Sequence, residues 1–366
     1  KPKPGAGYEM ASKRHNILTQ AASKMINARN DDPALYAIES SSAVNLAYRQ
    51  MSILLSDSNA TPQQRTVAAN QYASAALAEQ HRLGVLNPRI LSKSAVDSIQ
   101  RQFINSDDNE LTSTKVRMLS EMWGNNWPTV YGQLVAEKAL PDSAIVIGSG
   151  MTGTGAINMA TASKLKVDDM LVGMPSGTKK DLTDSVANQL EPLRRTLVGS
   201  GGLQMNIGAN ETFKTFFDAT VQLGAYYTSQ GMSTSDAAKR AADDVVNTRY
   251  AFKDTYRVPL KTVSGNPTSF NPNVIANNIR FVMSNLQGRD LYIPPTLRKD
   301  GFVESDYLKN IKRRGYWINS KNDDGLVLMN ADTGAAVLNK NGSEVFLTYG
   351  ELMVLDEFSI DTIMGR

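Results

Sequence analysis

The stretch TPQQRTVAANQYASAALAEQHRLG, residues 61–84, most constrains what this chain folds into. Thr61 can accept from the free N–H groups of a first turn, Pro62 suits the first helical position, and Gly84 stands where φ must turn positive. The body between them is alanine, glutamine and leucine, so the spacing predicts one long helix. The same punctuation recurs. Asp32-Pro33 opens a helix that places Leu35, Ile38, Ser42, Leu46, Arg49 and Ile53 around a mainly apolar face. Further helices are expected over 8–29, 92–105, 110–123 with Gly124 behind it, and 129–140.

Downstream, Thr178-Lys-Lys-Asp181 resembles a capping box, and the helix it opens runs to about Val198 with Pro192 predicting a kink or break. GSGG at 199–202 reads as a flexible joint. Residues 211–230 and 235–252 read as an antiparallel helical pair turning at Gly231, with Phe213, Phe216, Phe217, Val221 and Tyr227 supplying its core. From about Asp254 proline, asparagine and β-branched residues replace the alanine-rich texture. Two helices are expected there, over 273–287 and 304–314. Short apolar runs then alternate with KNDDG, NADTG and NKNG, which predicts an antiparallel β-meander at about 316–348. Thr348-x-x-Glu351 supplies a capping box for a last helix. The expected fold is therefore mainly α, with multi-helical blocks followed by a C-terminal α+β unit. Its divisions are a linker-like start (1–7), a helical block (8–147), a glycine-rich joint with a second helical block (148–253) and the α+β unit (254–366). The opening KPKPGAG lacks an initiating Met and has linker composition, so the chain is expected to be a portion of something longer.

Composition narrows the chemistry. Among 366 residues there is no cysteine, which removes disulfides, thiolate nucleophiles and sulfur-ligated zinc. Histidine is limited to His15 and His81, in separate helical segments and without Ser and Asp neighbours that suggest a triad. Lys plus Arg number 39 against 36 Asp plus Glu, too even a balance for a strong overall field toward nucleic acid or membrane. No run approaches the ~18 apolar residues of a membrane-spanning helix.

Two motifs invite catalytic readings. AIVIGSGMTGTG, 144–155, contains Gly148-x-Gly150-x-x-Gly153, the spacing of a dinucleotide-binding turn, and Ile145 to Ile147 could be its strand. That turn also needs an acid at the end of the second strand, ~20 positions on. Here Asp168 and Asp169 precede the next apolar run, and no train of alternating strands and helices follows. A glycine-rich connection between helical blocks is the better account. Glu39-Ser40 looks like the helical Glu-Ser pair of soluble lytic transglycosylases, in which a glutamate in an apolar cleft is the general acid. The family's substrate-binding continuation is replaced by SSAVNLAYRQM, which favours an ordinary surface glutamate.

The remaining motifs read as structure. An EF-hand on KNDDG would use Ser320, Asn322 and Asp324 but would meet Ala331 where the bidentate Glu belongs, so a hairpin turn is expected. Trp123, Trp127 and Tyr131 around GNNWP read as a pin between helices. Arg298, Lys299, Lys312, Arg313 and Arg314 form a basic group that could meet phosphate or a lipid head group. Otherwise it complements a helix C-terminus. No catalytic, cofactor-binding or metal-ligating residue is assigned, and no cofactor is expected.

DPALYAIESSSAV (32–44), QYASAALAEQHRLGV (71–85) and MWGNNWPTVYGQLVAEKALPDSAIVIG (122–148) together resemble the large internal virion, or ejection, proteins of short-tailed phages. WINSKNDDGLVLMNADTGAAVLNKNG (317–342) is similar to end segments of the same proteins. Some members carry a lytic transglycosylase domain elsewhere in the chain. The resemblance covers about half the sequence and rests on packing motifs. It implies a structural component without its own active site, stored in the capsid and delivered into the host periplasm or envelope to help form a conduit for the genome. It further implies partners among its own copies and the core, portal or tail proteins, with phage DNA or the host inner membrane reached through the basic group. Peptidoglycan cleavage by Glu39 is the enzymatic alternative, and nucleotide binding through Gly148, Gly150 and Gly153 the lesser one.

Overall fold

The computed structural model describes residues 6–103, 108–198, 207–262, 265–293, 304–320 and 323–355. The GSGG joint, Arg298, Lys299 and Asn322 lie outside them. The fold is mainly helical, with a small C-terminal antiparallel sheet as the sequence leads one to expect. Contacts divide it into two units, Lys1–Pro141 and Asp142–Arg366. The first boundary thus lies before Asp142, where the sequence reading placed it after Ile147, and residues 148–253 share a unit with 254–366.

Unit 1 contains α1 (Ala6–Asp31), α2 (Pro33–Ser40), α3 (Ser42–Ser56), α4 (Pro62–Arg82), α5 (Lys93–Phe103), α6 (Asn109–Trp123) and α7 (Trp127–Ala136). The long helix is α4, and its capping box forms in full between Thr61 and Gln64. Much of its inner face is small: Ala69, Ala73 and Ala76 are fully buried, as are Ala34 and Ala37 of α2. Alanine lets helix backbones approach closely at these positions, while Tyr72 of α4 and Val44 and Met51 of α3 are the larger buried apolar side chains of the two helices. Asp32 accepts from Leu35 N at 3.0 Å to cap α2, and from Lys93 N at 2.9 Å to hold the start of α5. Gln80, fully buried, donates to Arg89 O at 2.7 Å and accepts from Arg89 N at 2.8 Å, which satisfies the backbone of the α4–α5 connection.

One helix expected from Asp32 onward is two. Ser41 has φ −117° and ψ 118°, leaves the helical region, and caps α3 through Val44 N. Three consecutive serines explain the break, because hydroxyls near the backbone offer it partners outside the helix. The predicted apolar face is broken with it. Ile38 is buried, whereas Leu35, Leu46 and Ile53 are 40%, 60% and 67% exposed.

Unit 2 begins with the single turn α8 (Ile145–Gly148), followed by α9 (Gly153–Ala162), α10 (Val167–Met170), α11 (Thr178–Gln189) and α12 (Glu191–Val198). The break at Leu190 before Pro192 matches expectation. The box at Thr178 does not form: Gly177, at φ 97°, is the N-cap, and the Thr178 hydroxyl donates instead to Pro175 O at 2.8 Å. In α13 (Ile207–Ser229) Phe216 and Tyr227 are buried with Ala219 and Leu223, while Phe213, Phe217 and Val221 are half-buried. α14 (Thr234–Ala242) ends ten residues short of the predicted Phe252, in a wide turn over Asp243–Asn247. The aromatic Tyr250 and Phe252 instead enter a hairpin, β1 (Tyr250–Lys253) against β2 (Tyr256–Pro259). α15 (Pro272–Asn285) and α16 (Glu304–Arg314) then pack on the sheet β3 (Tyr316–Asn319), β4 (Gly325–Met329) and β5 (Phe346–Thr348), which is antiparallel in that order. α17 (Tyr349–Val354) opens on the predicted Thr348–Glu351 box.

Arg257, in β2 and 6% exposed, joins these parts. Its guanidinium donates to Thr196 O of α12 at 3.0 Å, pairs with Asp323 at 3.2 Å and lies over the Tyr250 ring at 5.3 Å. Its backbone exchanges hydrogen bonds with the Asn319 side chain, at 3.0 and 2.8 Å, and its carbonyl accepts from the Tyr349 hydroxyl at 2.7 Å. Replacing Arg257 with Leu is expected to destabilise unit 2 by about 3 kcal/mol, since buried acceptors lose their donor. Urea unfolding of the full chain measures it, and a loss under about 1 kcal/mol would deny Arg257 this role.

Tyr227 provides a pH test. Its hydroxyl donates to Asp244 at 2.6 Å, and burial pushes its pKa from 10.0 up to about 12. A raised folded-state pKa favours the protonated phenol, so its contribution is complete below pH 10 and declines as pH rises toward about 12. Unfolding midpoints should therefore fall over that interval, less steeply in Tyr227→Phe.

Candidate functional site

The glycine-rich motif is a packing device. Ile145 to Ile147 are helical in α8, not a strand, which removes the element a dinucleotide turn begins from. Gly150 has φ 109°, and a Cβ there would lie 2.5 Å from Lys261 Cδ and 3.1 Å from the Gly265 backbone. A Cβ on Gly265 would in turn lie 2.7 Å from Gly150 Cα. The close approach that Gly150 permits is thus taken by the chain's own backbone, whereas a Cβ on Gly153 would meet open space, and the Lys261 ammonium donates to Gly150 O. Arg249, 8% exposed, donates to the neighbouring Ser149 O at 3.2 Å. Gly150→Ala is expected to cost at least about 2 kcal/mol through strain and overlap, against about 1 kcal/mol for Gly84→Ala, whose surroundings are open. Equal losses at the two sites would contradict the packing role. Millimolar NAD should leave the melting temperature unchanged.

Glu39 is exposed near the end of α2, on a shallow depression with Ser40, Ser41, Asn45, Leu46 and Arg49. The serines beside it serve helix ends: the Ser40 hydroxyl donates to Tyr36 O at 2.6 Å and Ser41 caps α3. The apolar cleft that a general-acid reading requires is not built around this carboxylate.

The acidic turn and the basic group are engaged internally. Asp323, at φ 58°, accepts from Asn319 Nδ2 at 2.7 Å and pairs with Arg257, while Asp324 accepts from the Ser320 hydroxyl and Ser320 N donates to Gly325 O at 2.9 Å, as in a hairpin turn. Lys312 donates to Ser284 O at 2.7 Å and Arg314 pairs with Asp332. Arg313, exposed like its two neighbours, has no ion pair among the described residues. Trp123, Trp127 and Tyr131 are buried, the last two meeting edge to face at 5.1 Å. Among the described residues no group of His, Asp and Glu could hold a metal ion.

The strongest candidate surface was not anticipated as a surface. Ile53, Leu54, Val67 and Ala68 line an open apolar groove between α3 and α4, rimmed by uncharged Gln50 and Gln71. Leu46, 60% exposed, extends the outward side of α3. Periodicity identified Ile53 and Leu46 as apolar positions on one helix. It could not reveal that alanines would take the inward side. Compared with family models, curated proteins and solved structures, the chain matches none.

Proposed function

We propose that this chain is part of a structural and ejection component of a phage virion, stored in the capsid and delivered into the host envelope to help form a conduit for the genome. The blocks around AIESSSAV, WGNNWP and the β-meander support the reading through their likeness to internal virion proteins. The observation that carries it is the outward apolar side of unit 1, where Ile53 and Val67 are 67% and 50% exposed across the α3–α4 groove. Burying a side chain of that kind contributes about 1.5–3 kcal/mol, which neighbouring copies would realise in an assembly. A surface of this type used head to tail generates rings or tubes. Its partners are further copies of itself and the core, portal or tail proteins. Of the basic group Lys312, Arg313 and Arg314 are all exposed, and Arg313, without an ion pair among the described residues, is available to phage DNA or anionic lipid.

Negative-stain microscopy of the purified chain, with and without lipid, tests the reading. Rings or tubes are expected, and Ile53→Asp with Val67→Asp should return them to single particles. A strictly monomeric particle under all these conditions would count against the conduit. Murein zymography should show no clearing, and clearing that disappears in Glu39→Gln would replace this reading with the enzymatic one.

A further inference from the structure

α1 runs from Ala6 to Asp31 and stays exposed along residues 12–28, with its contacts concentrated at its C-terminal end. There the Arg29 guanidinium donates to Leu83 O at 2.8 Å and Lys93 pairs with Asp31. At 3.6 residues per turn, Ile17, Leu18, Ala21, Ala22, Met25 and Ile26 fall on one half of the helix. The larger four are 64%, 68%, 58% and 48% exposed, so nothing among the described residues covers that half. The other half is Asn16, Thr19, Gln20, Ser23 and Asn27, polar throughout.

Charge decides what fits it. Lys13 and Lys24 stand at one border of the apolar half and Arg14 within it, and none of the three has an acidic partner among the described residues. Over residues 12–31 the only acid is Asp31, already paired with Lys93. A second copy's α1 laid on this half would oppose cation to cation. An anionic bilayer surface instead offers negative charge at the level of the lysines and an apolar layer beneath, into which the isoleucine, leucine and methionine side chains can pass while the lysine stems extend outward. Among the described residues no helix is long and apolar enough to cross a membrane, so the contact would lie in the plane of the surface.

We propose that α1 is a membrane-surface helix that docks on anionic lipid through Ile17, Leu18, Met25 and Ile26, with Lys13, Arg14 and Lys24 meeting the head groups. The inference stands on α1 alone and does not need the groove of α3 and α4, so it names a lipid partner that the assembly reading leaves open.

Flotation of the full chain with vesicles of phosphatidylglycerol and phosphatidylcholine in equal parts tests it, with pure phosphatidylcholine vesicles alongside. Binding is expected to the anionic vesicles, weakened by added salt. Lys13→Glu and Lys24→Glu should each lower the partition coefficient at least about fivefold. Leu18→Glu with Met25→Glu should abolish binding, while Ser23→Asn on the polar half leaves it unchanged. Circular dichroism and unfolding midpoints of the variants should match the parent, since the altered side chains are exposed. Equal binding to both vesicle types, no binding to either, or binding that survives Leu18→Glu with Met25→Glu would overturn the proposal. So would a concentration-dependent dimer of the parent that Leu18→Glu dissolves, which would assign the stripe to a second copy. Loss of vesicle binding with rings or tubes intact would reject the lipid role alone, and the reverse would reject the assembly alone.

Discussion

The organisation of unit 2 depends on one buried guanidinium. The Arg257 guanidinium draws a helix-end carbonyl, the turn carboxylate of Asp323 and the Tyr250 ring together, and the backbone of the same residue holds Asn319 and Tyr349. A charge at this depth is costly unless every neighbour is placed to receive it, so the elements supplying those neighbours are held in register together. These contacts tie α12 and the β1–β2 hairpin to the meander. The Gly150–Gly265 backbone contact adds a second tie, and Arg249 and Lys261 satisfy the carbonyls beside it.

In unit 1 large side chains such as Trp123, Trp127, Tyr131, Ile90 and Leu134 are buried too, but α2 and α4 add a set of small ones. Its innermost side chains include alanines, at 34, 37, 69, 73 and 76, while leucine, isoleucine and valine at 46, 53 and 67 face outward. The C-terminal core of unit 2 buries Val258, Ile275, Ile311, Leu326 and Leu347. Close helix packing through small residues leaves the larger apolar groups for contacts beyond the chain. The groove of α3 and α4 and the stripe of α1 are two results of that pattern. Their surroundings differ, uncharged glutamine around the first and unpaired lysine beside the second, which suits them to different partners.

Much of this fold was legible in the sequence because its signals are local. Thr61-Pro62, Gly124, Pro192 and Thr348-x-x-Glu351 act within a turn or two of themselves, and each marks a boundary the structure shows. What local signals missed depended on competition or on distant partners. Ser41 ends a helix because three serines compete for its backbone, and Tyr250 leaves a helix because YRVP awaits it across a two-residue turn. The glycines of 148–155 were read as a joint; their partner Gly265 stands more than a hundred residues away, so their packing could not be seen. Leu46 and Ile53 fall on the apolar face that the spacing predicts, yet stand exposed, because periodicity finds a stripe and cannot say whether it is covered. Glu39 is exposed, as the SSAVNLAYRQM that follows in place of the family's substrate-binding block favours.

The central claim is that this chain belongs to a virion and leaves it with the genome. Quantitative mass spectrometry of purified particles of a phage that encodes it, comparing full capsids with ghosts emptied after adsorption, tests this most directly. The account predicts its peptides in full particles, depleted from ghosts and recovered in the envelope fraction of the host. Absence from full particles, or equal amounts in full and emptied ones, would contradict it.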